Sequence, residues 1–469
     1  MMTRLFLTIN VCLLLCSCKA QYPAIHASEP PVAFPGAEGF GKFATGGRGG
    51  KVFIITNLND DGEGSLRQAV TAKGPRIVVF AVSGTIHLQT ALSIKQDITI
   101  AGQTAPGDGI CIADQPVSLG GNNIIIRYLR FRLGDKFQNK GKVNGSGHDD
   151  ALGGTRRSQI IIDHCSISWS TDECFSVYAG DSTTLQWNII SEPLNYSYHF
   201  ETGDTDFERH GFGAIWGGKH LSAHHNLFAH CNNRTPRFDG IRNSPAEFVD
   251  FRNNVIYNWG SNNVHAGEGG QYNIVGNYYK YGPSTTSSKT RIAAPGKRDP
   301  DIPYGKWYVA SNFVDESTAV TSNNWQGVHM MANGTEEDKK NTLVNKAFPA
   351  VEINSQSAEK AFEDVLRNAG ASYRRDTLDK RIVLNVKNRT GGFIDVQGGY
   401  PHGTAYEATV NAWPVLKSMP APADVDKDGM PDEWEKKNRL NPDINESDRY
   451  SLNKFYTNIE VYINSLTTR

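Results

Sequence analysis

The chain has 469 residues, 39% hydrophobic and 21% charged, with a formal net charge of −1 at pH 7. That balance provides no global field to draw in nucleic acid or an anionic membrane, so a polyanionic partner has to be met by a local basic groove. Forty-six glycines beside a modest apolar content suit a turn-rich all-β chain rather than a helical one.

The N-terminus reads as an export signal. Arg4 supplies the positive end, and Leu5 to Leu15 form an apolar stretch too short to span a bilayer. Leu15-Cys16-Ser17-Cys18 then looks like a bacterial lipobox, with Cys18 lipidated after cleavage. Residues 1–18 are thus expected to be a signal segment and 19–31 a short tether. The protein is expected to be an exported, outer-membrane-anchored lipoprotein whose only membrane attachment is the lipid. The alternative is an ordinary secretory peptide cleaved near Ala20-Gln21. Four further cysteines, Cys111, Cys165, Cys174 and Cys231, lie beyond the signal. Cys165 and Cys174 sit in apolar runs where buried free thiols are common, so no framework disulfide is expected.

From residue 32 to about 283 short β-rich runs recur. Asn188, Asn226, Asn254 and Asn277 fall at one aligned point, each followed by apolar residues, with Cys165 at that point in the preceding run. This predicts coils of short parallel strands whose turn favours Asn for its tolerance of left-handed geometry. A solenoid of this kind grows as one domain, unlike the several domains that length alone suggests. Its first coil needs a cover, and Gly64 to Val70 reads as a short helix with Ser65 as N-cap and Gln68 in the capping-box position. Residues 284–420 read as an extension packed along the solenoid, with a helix over Ala358 to Ala369.

Residues 421–469 read as a small separate module. Asp424, Asp426 and Asp428, then Gly429 and finally Glu435, match a twelve-residue calcium loop. In that register Met430 would bind through its carbonyl, and Asp432 fills the ninth position. Pro431 departs from the usual EF-hand, and the loop resembles those of thrombospondin type 3 repeats and dockerins. Leu452, Phe455, Tyr456, Ile459, Ile463 and Leu466 follow at helical spacing and predict an amphipathic helix.

The chemistry is concentrated between residues 148 and 237. His148-Asp149-Asp150 comes first, then Asp163-His164 and Asp172-Glu173, then Asn233-Arg234-Thr235-Pro236-Arg237. Carboxylates gather a hard cation through oxygen, and guanidinium groups beside them bind an anionic substrate. In this order the residues resemble the pectate lyase family, built on the right-handed parallel β-helix. The resemblance covers roughly residues 32–282. It implies calcium-assisted elimination on polygalacturonate or pectin by a monomeric enzyme. It also implies Arg234 as the base, Arg237 as a substrate-binding arginine, and Asp150 and Asp172 as calcium ligands. The third family ligand falls on Ser176, which is not acidic. Asp149 is one candidate to replace it, and Glu173 is another if the backbone turns there. The family often has a lysine where this chain has His210, which is assigned to substrate binding. Asp163 is expected to be structural. Two other functions fit parts of the pattern: a β-helix polygalacturonase, which needs paired carboxylic acids flanking the bond, and a non-catalytic surface glycan-binding protein.

Overall fold

The computed structural model describes residues 30–138, 149–201, 203–285, 288–331 and 333–467. The signal segment, most of the tether, Cys18 and His148 lie outside the described residues. Short parallel strands stack in three rows. The first row contains Ile98–Ala101, Ile124–Arg127, Ser158–Asp163, Leu221–His224 and Phe248–Arg252. The second contains Arg130–Arg132, Ser166–Ser168, Ile189–Ser191 and Leu227–Ala229. The third contains Val117–Leu119, Leu152–Thr155, Ile215–Gly218 and Arg237–Phe238. Strand Phe175–Gln186 pairs in the third row at its start and in the first at its end. The fold is the expected right-handed parallel β-helix.

The pairing register explains the core. Ile100, Ile126, Ile162, Leu185, Ala223, Phe251, Ile274 and Val309 lie one above another on successive coils. All eight are buried. Each fully buried large apolar side chain contributes about 1.5–3 kcal/mol, so the stack drives coil on coil. The asparagines form the predicted ladder at the corner between the first and second rows. Asn188 Nδ2 donates to Asn226 Oδ1 at 3.0 Å, Asn226 Nδ2 to Asn254 Oδ1 at 2.9 Å, and Asn254 Nδ2 to Asn277 Oδ1 at 3.1 Å. Cys165 occupies the same corner, where its N–H donates to Asn188 Oδ1. The ladder runs on to Asn312 and Asn324.

The left-handed residue at this corner is the one before each ladder asparagine: Trp187 (φ 56°), His225 (φ 55°), Asn253 (φ 55°) and Gly276 (φ 64°). Asparagine is used here because its amide both donates and accepts between coils, not because it takes positive φ. A stack of rings accompanies the left-handed positions, with His164, Trp187 and His225 nearly parallel.

The solenoid also extends further than residue 283. Ala293–Pro295, Lys306–Ala310 and Phe313–Val314 add another strand to each row. The ladder step from Asn277 to Asn312 spans an insertion that obscures the repeat in the sequence. The first coil is covered by helix Leu66–Thr71, where the Ser65 hydroxyl accepts from Gln68 N. The Gln68 amide reaches back to Gly64 N, one residue earlier than a standard capping box.

In the extension, helix Ala358–Asn368 forms as predicted, and a second helix, Thr377–Asn388, was not foreseen. It is fixed by buried charge pairing: Arg132 Nη1 donates to Asp376 at 2.7 Å, and Ser166 Oγ to Asp379 at 2.6 Å. All four later cysteines are buried and free. Residues 31–469 pack as one compact unit, so the C-terminal segment is not a separate module. Met430, Ile459, Tyr462 and Ile463 close over Ile77, Val79 and Ala101 on the outer side of the early coils. The final helix is also shorter than its apolar spacing suggests. It runs Asn458–Ser465, started by a capping box between Thr457 and Glu460, and leaves Leu452, Phe455 and Tyr456 outside it.

Candidate active site

Every sequence-predicted site residue of the central region lies where the chain enters the third row of strands, or just inside it. Asp150 precedes Leu152–Thr155, Asp172 and Glu173 precede Phe175, His210 precedes Ile215–Gly218, and Arg234 precedes Arg237–Phe238. The coils are in register at this corner, with Glu173 bridging Phe212 and Phe212 bridging Asn233 on successive turns. Residues far apart in sequence are thereby stacked along one edge.

The chain bends through residues 171–174 before its strand begins. That bend lets Asp172 and Glu173, adjacent in sequence, face one space. Asp150, Asp172 and Glu173 each place a carboxylate oxygen within 4.8 Å of the others. Asp150 Oδ1 also accepts from Glu173 N at 3.1 Å. Ser176 is buried beside them; its hydroxyl bonds Asp150 and accepts from Ile215 N at 3.2 Å. Asp149 is not in the cluster. Its Oδ2 takes a hydrogen bond from Gln138 Nε2 at 2.9 Å.

Burial pushes the Asp150 carboxyl well above the usual carboxylate range, and the nearby Asp172 charge adds to the push. Asp172 is only partly exposed, but the hydrogen bond and charge of His210 outweigh the effect of burial and hold it below its usual range. The contact is direct, His210 Nε2 to Asp172 Oδ1 at 2.8 Å. The His210 ring is 4% exposed and packs against Phe212 and His199.

Arg234 closes the cluster. Its backbone is left-handed (φ 57°), the Asn233 side chain accepts from its N–H at 2.7 Å, and its guanidinium lies 4.4 Å from the centre of the Phe212 ring. It forms an ion pair with Glu173. Burial pulls its pKa down to about 10; Arg237 and Arg298 push the same way, while Asp172 opposes. Arg237, on the third row, is 7% exposed, and its pKa is also lowered, by burial first and then by Arg298.

Arg298 was missed in the sequence. With Lys297, Arg237 and His265 it lines a cavity of about 130 Å³ next to Arg237. The only sequence signal was a Lys-Arg pair after Pro295-Gly296, in a stretch without visible repeat. On the other side of the carboxylates an open groove of about 440 Å³ follows the third row, lined by Asp150, Ser176, Tyr178, Lys95 and Arg157. The cleft is therefore acidic at its centre and basic at its ends.

Asp163 lies away from this cluster, at the end of a first-row strand. It pairs with Arg127 at 2.8 Å and His164 at 2.7 Å, as expected of a structural residue.

A second acidic group lies at the C-terminus. Asp424, Asp426 and Asp428 each place a carboxylate oxygen within 4.8 Å of the others. Asp424 and Asp426 accept from Asp428 N, and Asp424 from Gly429 N. Asp432 turns its Oδ1 to Val425 N at 2.9 Å. Glu435 is fully buried and neither of its carboxylate oxygens has a hydrogen-bond partner. Burial and the surrounding aspartates push its carboxyl up to about 8. Orphaned carboxylate oxygens among three aspartates fit an oxygen-liganded cation.

No family model matches the chain. Among curated proteins it is 37% identical over 455 residues to a probable pectate lyase C of Aspergillus fumigatus, covering 93% of this chain and 94% of that protein. A probable pectate lyase C of Aspergillus terreus is 35% identical over 470 residues, covering 94% of this chain and 95% of that protein. Among solved structures, the cedar pollen allergen Jun a 1 covers 71% of this chain and 92% of its own at 18% identity, with a TM-score of 0.48. Both curated matches reach well beyond the segment 32–282 and take in most of the extension. At such identity along more than nine-tenths of each protein, this chain belongs to the pectate lyase family.

Proposed function

We propose that the chain is a pectate lyase that cleaves α-1,4-linked polygalacturonate by calcium-assisted β-elimination, leaving a 4,5-unsaturated end. The observation that carries the reading is the meeting of three carboxylates and one largely buried arginine, from coils far apart in sequence, at a single corner of the β-helix.

Asp150, Asp172 and Glu173 would hold calcium, with Ser176 supporting Asp150. Bound there, calcium would neutralise the substrate's C6 carboxylate and stabilise the charge that develops as the C5 proton leaves. Burial first, and then the neighbouring Asp172 charge, push Asp150 upward, and a divalent cation held there would offset both. Arg234 is the group proposed to accept the C5 proton. A guanidinium is ordinarily charged under all working conditions, and its burial in this corner brings the neutral form closer. Glu173 has two competing partners, Arg234 and the shared cation. Were Glu173 to hold the cation, the Arg234 guanidinium would be free to face substrate. Arg237, with Arg298 behind it, is placed to hold a neighbouring carboxylate of the polymer. His210 acts on the reaction through Asp172, which it orients, rather than by touching sugar. Asp424, Asp426, Asp428, Glu435 and the Met430 carbonyl would hold a second calcium, with Asp432 fixing the loop, and this calcium would staple the C-terminal segment to the early coils.

Incubation with polygalacturonate, with and without a calcium chelator, tests the reading. Elimination yields both ultraviolet absorbance from the new double bond and new reducing ends, and chelator abolishes both. Reducing ends without absorbance would make the protein a hydrolase, and neither signal would make it a binder.

A further inference from the structure

Arg237 is buried, yet its charge has no close partner. Its side chain is 9% exposed, and the nearest carboxylate oxygen among the described residues, Asp239 Oδ1, stands 3.8 Å away, too far for a hydrogen bond. The acids around it serve their own segments. Asp239 accepts from Asn243 Nδ2 at 2.8 Å and Ser244 Oγ at 3.0 Å, and Glu247 Oε1 from Gly240 N at 2.8 Å and the Tyr272 hydroxyl at 2.7 Å. The cavity of about 130 Å³ beside Arg237 is shared with Arg298 and Glu268. Arg298 is exposed, and its charge is near enough to help pull both Arg234 and Arg237 below the usual range. The neighbouring Lys297 ammonium instead donates to Pro300 O at 2.9 Å, within its own turn.

Glu268 decides where Arg298 stands. It is 2% exposed, and its Oε2 accepts from two successive backbone N–H groups, Arg298 N at 2.6 Å and Asp299 N at 3.2 Å. Such charge-assisted bonds are about twice as strong as neutral ones. Glu268 is itself fixed from the preceding coil. Its carbonyl accepts from Ile241 N at 2.9 Å, and Gly240 (φ 86°) packs so close that a Cβ there would stand 2.8 Å from Glu268 Cγ. It also bridges Tyr304 on the far side of the turn. On the third row Arg237 lies in register with His265, and His265 with Ala294. Glu268 follows the middle of these three coils, so it joins the arginine of one neighbour to the turn of the other. Its remaining oxygen, Oε1, is buried and makes no hydrogen bond, so this carboxylate does not close on Arg237.

We propose that Glu268 is a positioning residue for substrate: it holds the turn carrying Lys297 and Arg298 at the third row, so that Arg298 and Arg237 grip one carboxylate of the polymer between them. The identity of the polymer rests on the lyase reading above, and the need for an anion rests on the two arginines. A buried cation without a partner is costly to keep. A carboxylate accepting from two guanidinium groups supplies that partner through strong, directional bonds. Methyl esterification removes the charge and with it the reason for a sugar to sit here. Glu268 touches no sugar and acts only through the turn.

Binding of hexagalacturonate by calorimetry, in chelator so that calcium-assisted turnover stops, tests this apart from the lyase assay. Arg298→Ala and Glu268→Ala should each weaken binding by about 10-fold, the cost of one charge-assisted contact. In the Arg298→Ala chain, Glu268→Ala should add nothing further, because the turn it holds no longer carries the guanidinium. The fully methyl-esterified hexamer should not distinguish wild type from Arg298→Ala. With calcium restored, both variants should raise KM by a similar factor and keep most of kcat. Glu268→Gln keeps the shape and a neutral acceptor, and it decides the matter if Glu268→Ala fails to fold: it should weaken binding only where Arg298 is present. Wild type that binds no hexamer, unchanged binding in Arg298→Ala, or a Glu268 effect of full size in the Arg298→Ala chain would overturn the proposal. In the last case Glu268 is a structural residue of the turn. Expected coupling in the binding assay without any elimination product would instead remove the lyase reading and leave the role of Glu268 in place.

Discussion

Glu173 and Arg234 are 61 positions apart in the sequence and form an ion pair across two steps of the β-helix, with the Phe212 ring beneath the guanidinium. The pairing exists because Glu173, Phe212 and Asn233 occupy the same point on successive coils. It places the proposed base and a proposed calcium ligand in direct competition for each other.

That competition is open to measurement. Glu173→Gln keeps the shape but removes one carboxylate from the cluster. Calcium affinity follows the number of charged ligands, so half-maximal activity should need about 10-fold more calcium or beyond. Turnover at saturating calcium should fall much less. An unchanged calcium dependence would take Glu173 out of the cation site.

The two calcium roles should separate. Asp428→Ala removes a ligand from the C-terminal loop, which packs on the early coils through Met430 and Ile459. Melting followed by fluorescence should show wild type more stable by a few degrees in calcium, with the difference vanishing in chelator. Most activity should remain. Loss of activity at unchanged stability would place this loop in the catalytic site.

Without calcium the same loop predicts a pH dependence of definite sign. Glu435 is pushed up from the ordinary carboxylate range to about 8 in the folded chain. Between about 4.5 and 8 the folded state therefore keeps a proton that the unfolded state has released, so stability falls as pH rises through that window. Denaturant unfolding in chelator should show this decline, and Glu435→Gln should flatten it. Saturating calcium should remove it in wild type, because the ionised carboxylate then has a ligand to hold.

The ladder can be tested apart from the chemistry. Asn226 accepts from the N–H and the amide of Asn188 and donates to Leu185 O and Asn254. Asn226→Ala strands buried donors on Asn188, at about 1–3 kcal/mol for each unsatisfied group. Chemical denaturation should show a loss of that order. Folded variant should retain its turnover, since the ladder corner is not the carboxylate corner.

The ladder also shows what the sequence could reveal. Asn188, Asn226, Asn254 and Asn277 were visible because each is flanked by apolar runs that repeat. Asn312 and Asn324 belong to the same ladder, but one follows an insertion and the other comes only 12 residues later, so neither keeps the spacing. The solenoid's true end was hidden for that reason. Asp150, Asp172 and Arg234 were legible as motifs. Glu173 was not decidable, because its direction depends on a bend before strand Phe175–Gln186 that no local pattern announces. Arg298 was invisible, since only coil stacking brings it beside Arg237. Helix Thr377–Asn388 is held by Asp376 and Asp379 on Arg130 and Arg132, about 250 residues away. Periodicity within a window carries no trace of such a partner.

Turnover of Arg234→Lys on polygalacturonate at saturating substrate and calcium tests the central claim most directly. Lysine keeps the positive charge but loses the planar fork and moves the proton-accepting atom. If Arg234 takes the C5 proton, kcat should fall by about 10²–10⁴-fold, the usual cost of losing a positioned general base. Polygalacturonate should still bind through Arg237, and calcium through Asp150 and Asp172. Near-wild-type kcat with a raised KM would contradict the account and reduce Arg234 to an electrostatic clamp.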